Sequence, residues 1–138
     1  MKAILVATLS LVLCGGRSEA QVRVHLIVPA PSYAVGDTAE LRLANGSGTD
    51  IGYNLCFAQL QERRADDWAV VRDTRACSSD LHLLSPGDTV AGRYPLPHSL
   101  VSGTYRFVAS VEGVGGILGA AHKLVSNEFQ ITAPPPPD

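Results

Sequence analysis

Apolar residues recur along most of this chain with a period of two. Val22, Val24, Leu26 and Val28 alternate with Arg23 and His25, and the run stops at Pro29-Ala30-Pro31, where proline has no N–H to give a sheet ladder. A turn at Val35-Gly36-Asp37 leads to Ala39, Leu41 and Leu43 alternating with Glu40 and Arg42, the pattern of a half-buried strand. Asn45-Gly46-Ser47-Gly48 supplies residues that tolerate positive φ at a tight reversal, and Ile51, Tyr53, Leu55 and Phe57 continue as the next strand. The apolar phase slips between Phe57 and Leu60. A β-bulge or a short helix ahead of Glu62-Arg63-Arg64 fits this slip, and the bulge is preferred. Trp68, Val70 and Val71 make another short strand.

From Asp73 to Asp80 the chain is polar apart from Cys77, so it reads as a loop anchored to the core through that residue alone. Ser85-Pro86-Gly87-Asp88 is a turn. Val90, Tyr94 and Leu96 follow in alternation with Thr89 and Arg93, and Pro95 and Pro97 mark an edge or the strand's end. Tyr105, Phe107, Ala109 and Val111 alternate most cleanly, and Val125, Asn127, Phe129 and Ile131 form the last strand. About seven short strands, regular turn signals and no convincing amphipathic helix predict an all-β, antiparallel β-sandwich. The run Pro134 to Pro137 is a polyproline tail, which sets a domain over 21–133 and a tail over 134–138.

The N-terminal residues change the compartment. Lys2, the apolar run Ala3 to Leu13 and the small residues of Ser18-Glu19-Ala20 have the layout of a secretory signal peptide over 1–20, with the mature chain starting at Gln21. The run is about half of the roughly 20 apolar residues that a bilayer core requires, so no membrane span is expected. Cys14 is an alternative site for a lipid anchor, disfavoured because Leu13 stands where a lipoprotein box has a small residue. Of 11 basic and 13 acidic residues, Lys2, Arg17 and Glu19 precede Gln21, which leaves 9 against 12 and a formal charge of −3. With no basic block, phosphate attraction has no source and nucleic acid is not an expected partner. The remaining 118 residues suffice for one domain burying roughly two-thirds of its unfolded surface. An exported chain with two cysteines, Cys56 and Cys77, is read as disulfide-bonded.

Two patterns carry a family resemblance. Leu100-Val101-Ser102-Gly103-Thr104-Tyr105-Arg106-Phe107 resembles the tyrosine corner of the immunoglobulin and fibronectin type III superfamily, in which Gly103 precedes Tyr105 and the phenol pins the crossover between sheets. The longer run Tyr33-x-x-Gly36, Leu41-x-Leu43-x-Asn45, Cys56, Trp68, Cys77, Pro86-Gly87, Gly103-x-Tyr105 and Ser126-x-x-Phe129 resembles small bacterial immunoglobulin-like domains. That likeness implies an immunoglobulin-like sandwich and an exported module without assigned catalysis. Antibody-type domains differ, because Phe107 stands where their second cysteine would be. Here the bridge is expected to tie a mid-chain loop to a strand, independent of Trp68.

Cys77 and His82 have a spacing that resembles part of a blue-copper site, but the only Met is the initiator. Gly46-Ser47-Gly48 lacks the framing of a hydrolase nucleophile, and His25, His82, His98 and His122 are isolated. Asp66, Asp67, Asp73 and Asp80 match no calcium loop, and the sequon Asn45-Gly46-Ser47 reads as a turn. No catalytic residue, metal or other cofactor is therefore expected. The segment from Gly113 to Ala121 is unusually apolar for a hairpin. Val114, Ile117 and Leu118 either fold over the sandwich end, which is favoured, or form a recognition loop. The expected function is a non-enzymatic, exported binding or accessory module of the bacterial cell envelope or exterior, with an unknown protein or glycan partner. The alternative is a proteinase inhibitor presenting the disulfide-tethered Arg72 to Asp80 loop.

Overall fold

The structure, a computed structural model, describes residues 23–113 and 121–137. The signal peptide over 1–20, the lipid anchor at Cys14 and the burial of Val114, Ile117 and Leu118 lie outside the described residues. Those residues form β1 (Val24–Ile27), β2 (Ser32–Ala34), β3 (Thr38–Asn45), β4 (Ile51–Tyr53), a 3₁₀ turn (Leu55–Phe57), β5 (Gln59–Arg64), β6 (Asp67–Val70), β7 (His82–Leu84), β8 (Thr89–Pro95), β9 (Gly103–Glu112), β10 (Ala121–Val125) and β11 (Phe129–Thr132).

One sheet has the order β1-β3-β8, and the other runs β2-β11-β9-β4-β7, with β10 and the β5–β6 hairpin also joined to it through β9. All described pairings are antiparallel except that of β2 with β11. A first strand split between the sheets, β3 and β8 paired in one and β9 central in the other give an immunoglobulin-like β-sandwich.

Eleven described strands replace about seven because the chain breaks where apolar alternation is locally overruled. At Pro29-Ala30-Pro31 it crosses from the small sheet to the large one, and Gln130 N donates to Pro31 O at 3.0 Å. After β4, Asn54 caps the 3₁₀ turn, its side chain accepting from Cys56 N. Tyr53 pairs with Val111 and Gln59 with Val108, so six residues span three of β9 and the surplus is the turn. The phase slip is thus a short helix and not the preferred bulge. In the last strand, Val125 pairs with Val108 and Phe129 with Tyr105. Four residues span three, so the phase reverses: Leu124 faces the core before the break, Phe129 and Ile131 after it. Val125 therefore points outward instead of continuing the inward row.

The core lies between the sheets. Leu41, Leu43 and Tyr94 from one side meet Leu60, Phe107 and Phe129 from the other. Tyr94 packs edge-on against Phe107 with centroids 4.9 Å apart, and Phe107 stacks on Phe129 at 5.4 Å. Polar side chains tie the sheets at two places. Asn127 makes two bonds to the Val28 backbone, accepting from its N–H at 2.8 Å and donating to its carbonyl at 2.9 Å. Asn45, only 1% exposed, donates to the Thr49 and Leu84 carbonyls at 2.9 Å each and accepts from the Ser47 N–H and hydroxyl. Gly36 combines a φ of +81° with the His98 ring 2.3 Å from where a Cβ would sit, so no other residue fits that turn without rearrangement.

Candidate binding face and the disulfide-held strap

Cys56 and Cys77 are joined by a disulfide across a separation of 21 residues. Cys56 lies in the 3₁₀ turn rather than in a strand, and Cys77 lies in the irregular strap between β6 and β7. The bridge is not the strap's sole anchor. Arg75 turns inward, donates to Cys56 O at 3.0 Å and to Asp73 Oδ2 at 2.7 Å, and stacks 3.9 Å from the Tyr94 ring centroid. Asn54 Nδ2 donates to the Ser78 and Asp80 carbonyls at 2.8 Å each. Arg75 holds the Asp73 carboxyl below its usual range by hydrogen bonding. Burial, helped by Asp73, pushes the Tyr94 phenol up to about 12. Between these anchors Thr74, Ala76 and Ser78 are exposed.

Tyr105 is fully buried, and its hydroxyl donates to Val101 O at 2.7 Å, four residues upstream. Burial raises its phenol as well. A Cβ on Gly103 would meet Tyr105 at 3.8 Å, an ordinary contact, so space alone does not demand glycine there.

The structure draws attention to a surface that the sequence reading did not single out. On the outer face of the larger sheet, away from the core, Val108 pairs with Gln59 on one side and Val125 on the other. Seven large apolar side chains among the described residues are exposed, and five of them gather here: Phe57 (57%), Val70 (56%), Leu81 (56%), Leu83 (69%) and Val125 (49%). Leu83 and Glu112 both pair with Gly52, which places Leu83 on this face, and Leu81 lies against the bare backbone of Gly52, 3.0 Å from a built Cβ. Phe57, Leu81 and Val108 border a shallow cleft of about 380 Å³, with Asp80 and Lys123 also at its rim. Further along, Trp68 lies under the Arg106 guanidinium, 4.1 Å from ring centroid to Cζ, and Arg106 Nε donates to Gln61 at 2.8 Å. Trp68 thus serves this outer surface and not the core.

The remaining candidate residues for chemistry are dispersed or otherwise engaged. Cys77 is in the disulfide, and His82 rests against Tyr53 with centroids 5.6 Å apart. The Ser47 hydroxyl donates to Asn45 Oδ1 at 2.6 Å. Asp80 accepts from Ser78 Oγ at 3.1 Å, and Asp66 lies in the β5–β6 turn beside Ala65, whose φ is 52°. Among the described residues, no three His, Cys, Asp or Glu side chains converge on a point that would hold a metal ion. Likewise no helix there is long and apolar enough to cross a membrane.

No protein-family model matches the chain, and no curated protein matches it either. Solved structures similar to it include the following two. One is an uncharacterized protein from Bacillus anthracis str. Ames, at 18% identity over 76% of this chain and 79% of that one, with a TM-score of 0.37. The other is the ASH/PapD-like domain 7 of human CEP192, at 20% identity over 94% of this chain and 91% of that one, with a TM-score of 0.35.

Proposed function

We propose that this chain is a non-enzymatic binding module that works outside the bacterial cytoplasm, in the envelope or beyond it, and engages a protein through the outer face of its larger sheet. The observation that carries this is the gathering of five exposed large apolar side chains on one face. Such side chains scattered singly need no explanation, but a contiguous patch with a polar rim is the usual mark of an interaction site. Four of the five are aliphatic, and aliphatic side chains suit a protein partner better than a glycan, whose hydroxyls call for convergent polar groups. The disulfide is compatible with an oxidising compartment, secreted or periplasmic. To test this, a photoreactive side chain is placed at Phe57 and, as a control on the small sheet, at Arg93. Envelope fractions should give a protein adduct from the first position and not the second. Equal labelling from both, or none from Phe57, rejects the face as the site.

A second reading is favoured by one specific feature. The strap holds Thr74, Ala76 and Ser78 outward while the disulfide, Arg75 and Asn54 fix the backbone between them. A pre-ordered extended loop loses little entropy on entering a proteinase cleft, which is what a proteinase inhibitor needs. Titration against serine and cysteine proteinases should then show near-stoichiometric inhibition, whereas unimpeded turnover with cleavage of the strap excludes it.

A further inference from the structure

We propose that Ala76 is the residue the strap offers to the S1 pocket of a proteinase, and that the enzyme it fits is a serine proteinase whose S1 pocket is small. The proposal rests on the second reading, in which the strap is an inhibitory loop, and it names the contact residue and the class of target.

The first argument is alternation. Asp73, Arg75 and Cys77 line the cleft beneath the strap, whereas Thr74, Ala76 and Ser78 are exposed. A period of two is that of extended chain. Proteinases hold a substrate as an added strand, with alternate side chains entering pockets and the backbone closing a ladder. None of the described hydrogen bonds engages the backbone of Thr74 or the N–H of Ala76, so these groups can join such a ladder.

The second argument is which side chain can enter the pocket. Arginine suits the acidic S1 pocket of a trypsin-like enzyme, and this stretch holds Arg72 and Arg75. Arg75 is engaged with the Tyr94 ring, Cys56 O and Asp73, and turning it outward would break all three contacts. Arg72 is exposed, but its neighbours are fastened to different places, Val71 to Leu60 O and Asp73 to Arg75. Ala76 presents only a methyl group, which a small pocket of the elastase type accepts.

The third argument is what happens to a cut strap. Both neighbours of Ala76 are tied to one residue, because Arg75 bonds Cys56 O and Cys77 is bridged to Cys56. When the proteinase serine oxygen adds to the Ala76 carbonyl carbon, the Ala76–Cys77 C–N bond breaks. The new Cys77 amine takes its proton from the catalytic histidine. The disulfide keeps that amine beside the acyl carbon, so it attacks again, restores the amide and returns the serine its hydroxyl. Water has no such tether, and the loop is religated faster than it is hydrolysed.

Titration of pancreatic elastase and trypsin with the oxidised chain tests this, read as residual hydrolysis of a small chromogenic peptide. Elastase should be silenced at close to one chain per enzyme, and trypsin should be unaffected. Ala76→Arg, at an exposed position, should keep the melting curve, weaken elastase inhibition by about a hundredfold or more and confer inhibition of trypsin. Cys56→Ser with Cys77→Ser should turn the inhibitor into a substrate cut between residues 76 and 77. Elastase inhibition indifferent to Ala76→Arg, or surviving the loss of the bridge, overturns the proposal. Inhibition of trypsin by the wild-type chain that Arg72→Ala abolishes overturns it too, while leaving the strap as an inhibitory loop. Unimpeded turnover by these and by cysteine proteinases rejects both.

Discussion

At the residue scale, the strongest single constraint is Asn45. Its amide hydrogens go to two carbonyls of other segments and its oxygen takes two donors, all at 1% exposure. Asn45→Asp would remove both donors and set a buried carboxylate against the Thr49 and Leu84 carbonyls. It should cost at least about 3 kcal/mol, read as a lower urea midpoint, because an unpaired buried charge is added to two lost bonds. A variant within about 0.5 kcal/mol of wild type would show that the side chain is not clamped. The same burial keeps the sequon closed in the folded protein. Sequence marked Asn45 as a turn residue but gave no sign that it spans the sheets, since its partner Leu84 is 39 residues away. Tyr94 supplies a pH test. Its phenol is pushed from 10.0 up to about 12, so below pH about 10 it is neutral in both folded and unfolded chains. Between about 10 and about 12 the unfolded chain ionises first, and stability falls with rising pH in that window. Spectrophotometric titration should show a late tyrosinate step that Tyr94→Phe removes. Retention of that step in the variant would assign it to another tyrosine.

At the element scale, the strap is held by more than its bridge, which sets the expected response to losing that bridge. Closing a loop across 21 residues contributes about 3 kcal/mol in the chain-entropy account, on the order of 10 °C in Tm for a domain of this size. Cys56→Ser with Cys77→Ser should therefore lower Tm by that amount yet leave one cooperative transition, because Arg75, Asn54 and the inter-sheet core remain. Amide exchange should quicken from Val71 to Leu81 and in the 3₁₀ turn while the central strands stay protected. Loss of protection across β3 and β9 would mean that the bridge supports the whole sandwich. This is also the scale at which sequence and structure part. Period-two runs marked β1, β3, β8 and β9 because each, counting Val28 just after β1 and Leu96 just after β8, presents three or more inward apolar side chains in register. β2 and β7, with three residues each, are too short for a period to emerge. The two phase reversals depend on Asn54 and Asn127 bonding backbone, an event that hydropathy does not record. The exposed apolar face was hidden for the same reason: until the reversal at residues 126–128 is known, Val125 counts as core.

At the scale of the whole molecule, the fold closes on itself through its last strand. β11 lies between β2 and β9, pairs with both, and buries Phe129 and Ile131. Phe129 touches three aromatic rings, those of Tyr33, Tyr105 and Phe107. Beyond Ala133, whose N–H donates to Ser102 Oγ at 2.8 Å, the prolines are exposed and make none of the described hydrogen bonds. These facts set opposite expectations for two truncations a few residues apart. Removing the chain from Pro134 onward should leave Tm within about 1 °C of the full protein, since little buried surface is lost. Stopping at Asn127 removes two core side chains at about 1.5 to 3 kcal/mol each and strips β2 of its pairing partner. That loss is comparable with the roughly 5 to 15 kcal/mol by which whole domains are stable, so the shorter protein should show no cooperative unfolding transition by circular dichroism. If the chain ending at Asn127 still melts cooperatively, the closure by β11 is dispensable and the sandwich is held by its other strands. If the loss of the prolines alone lowers Tm by several degrees, the tail belongs to the domain and the boundary at residue 133 is misplaced.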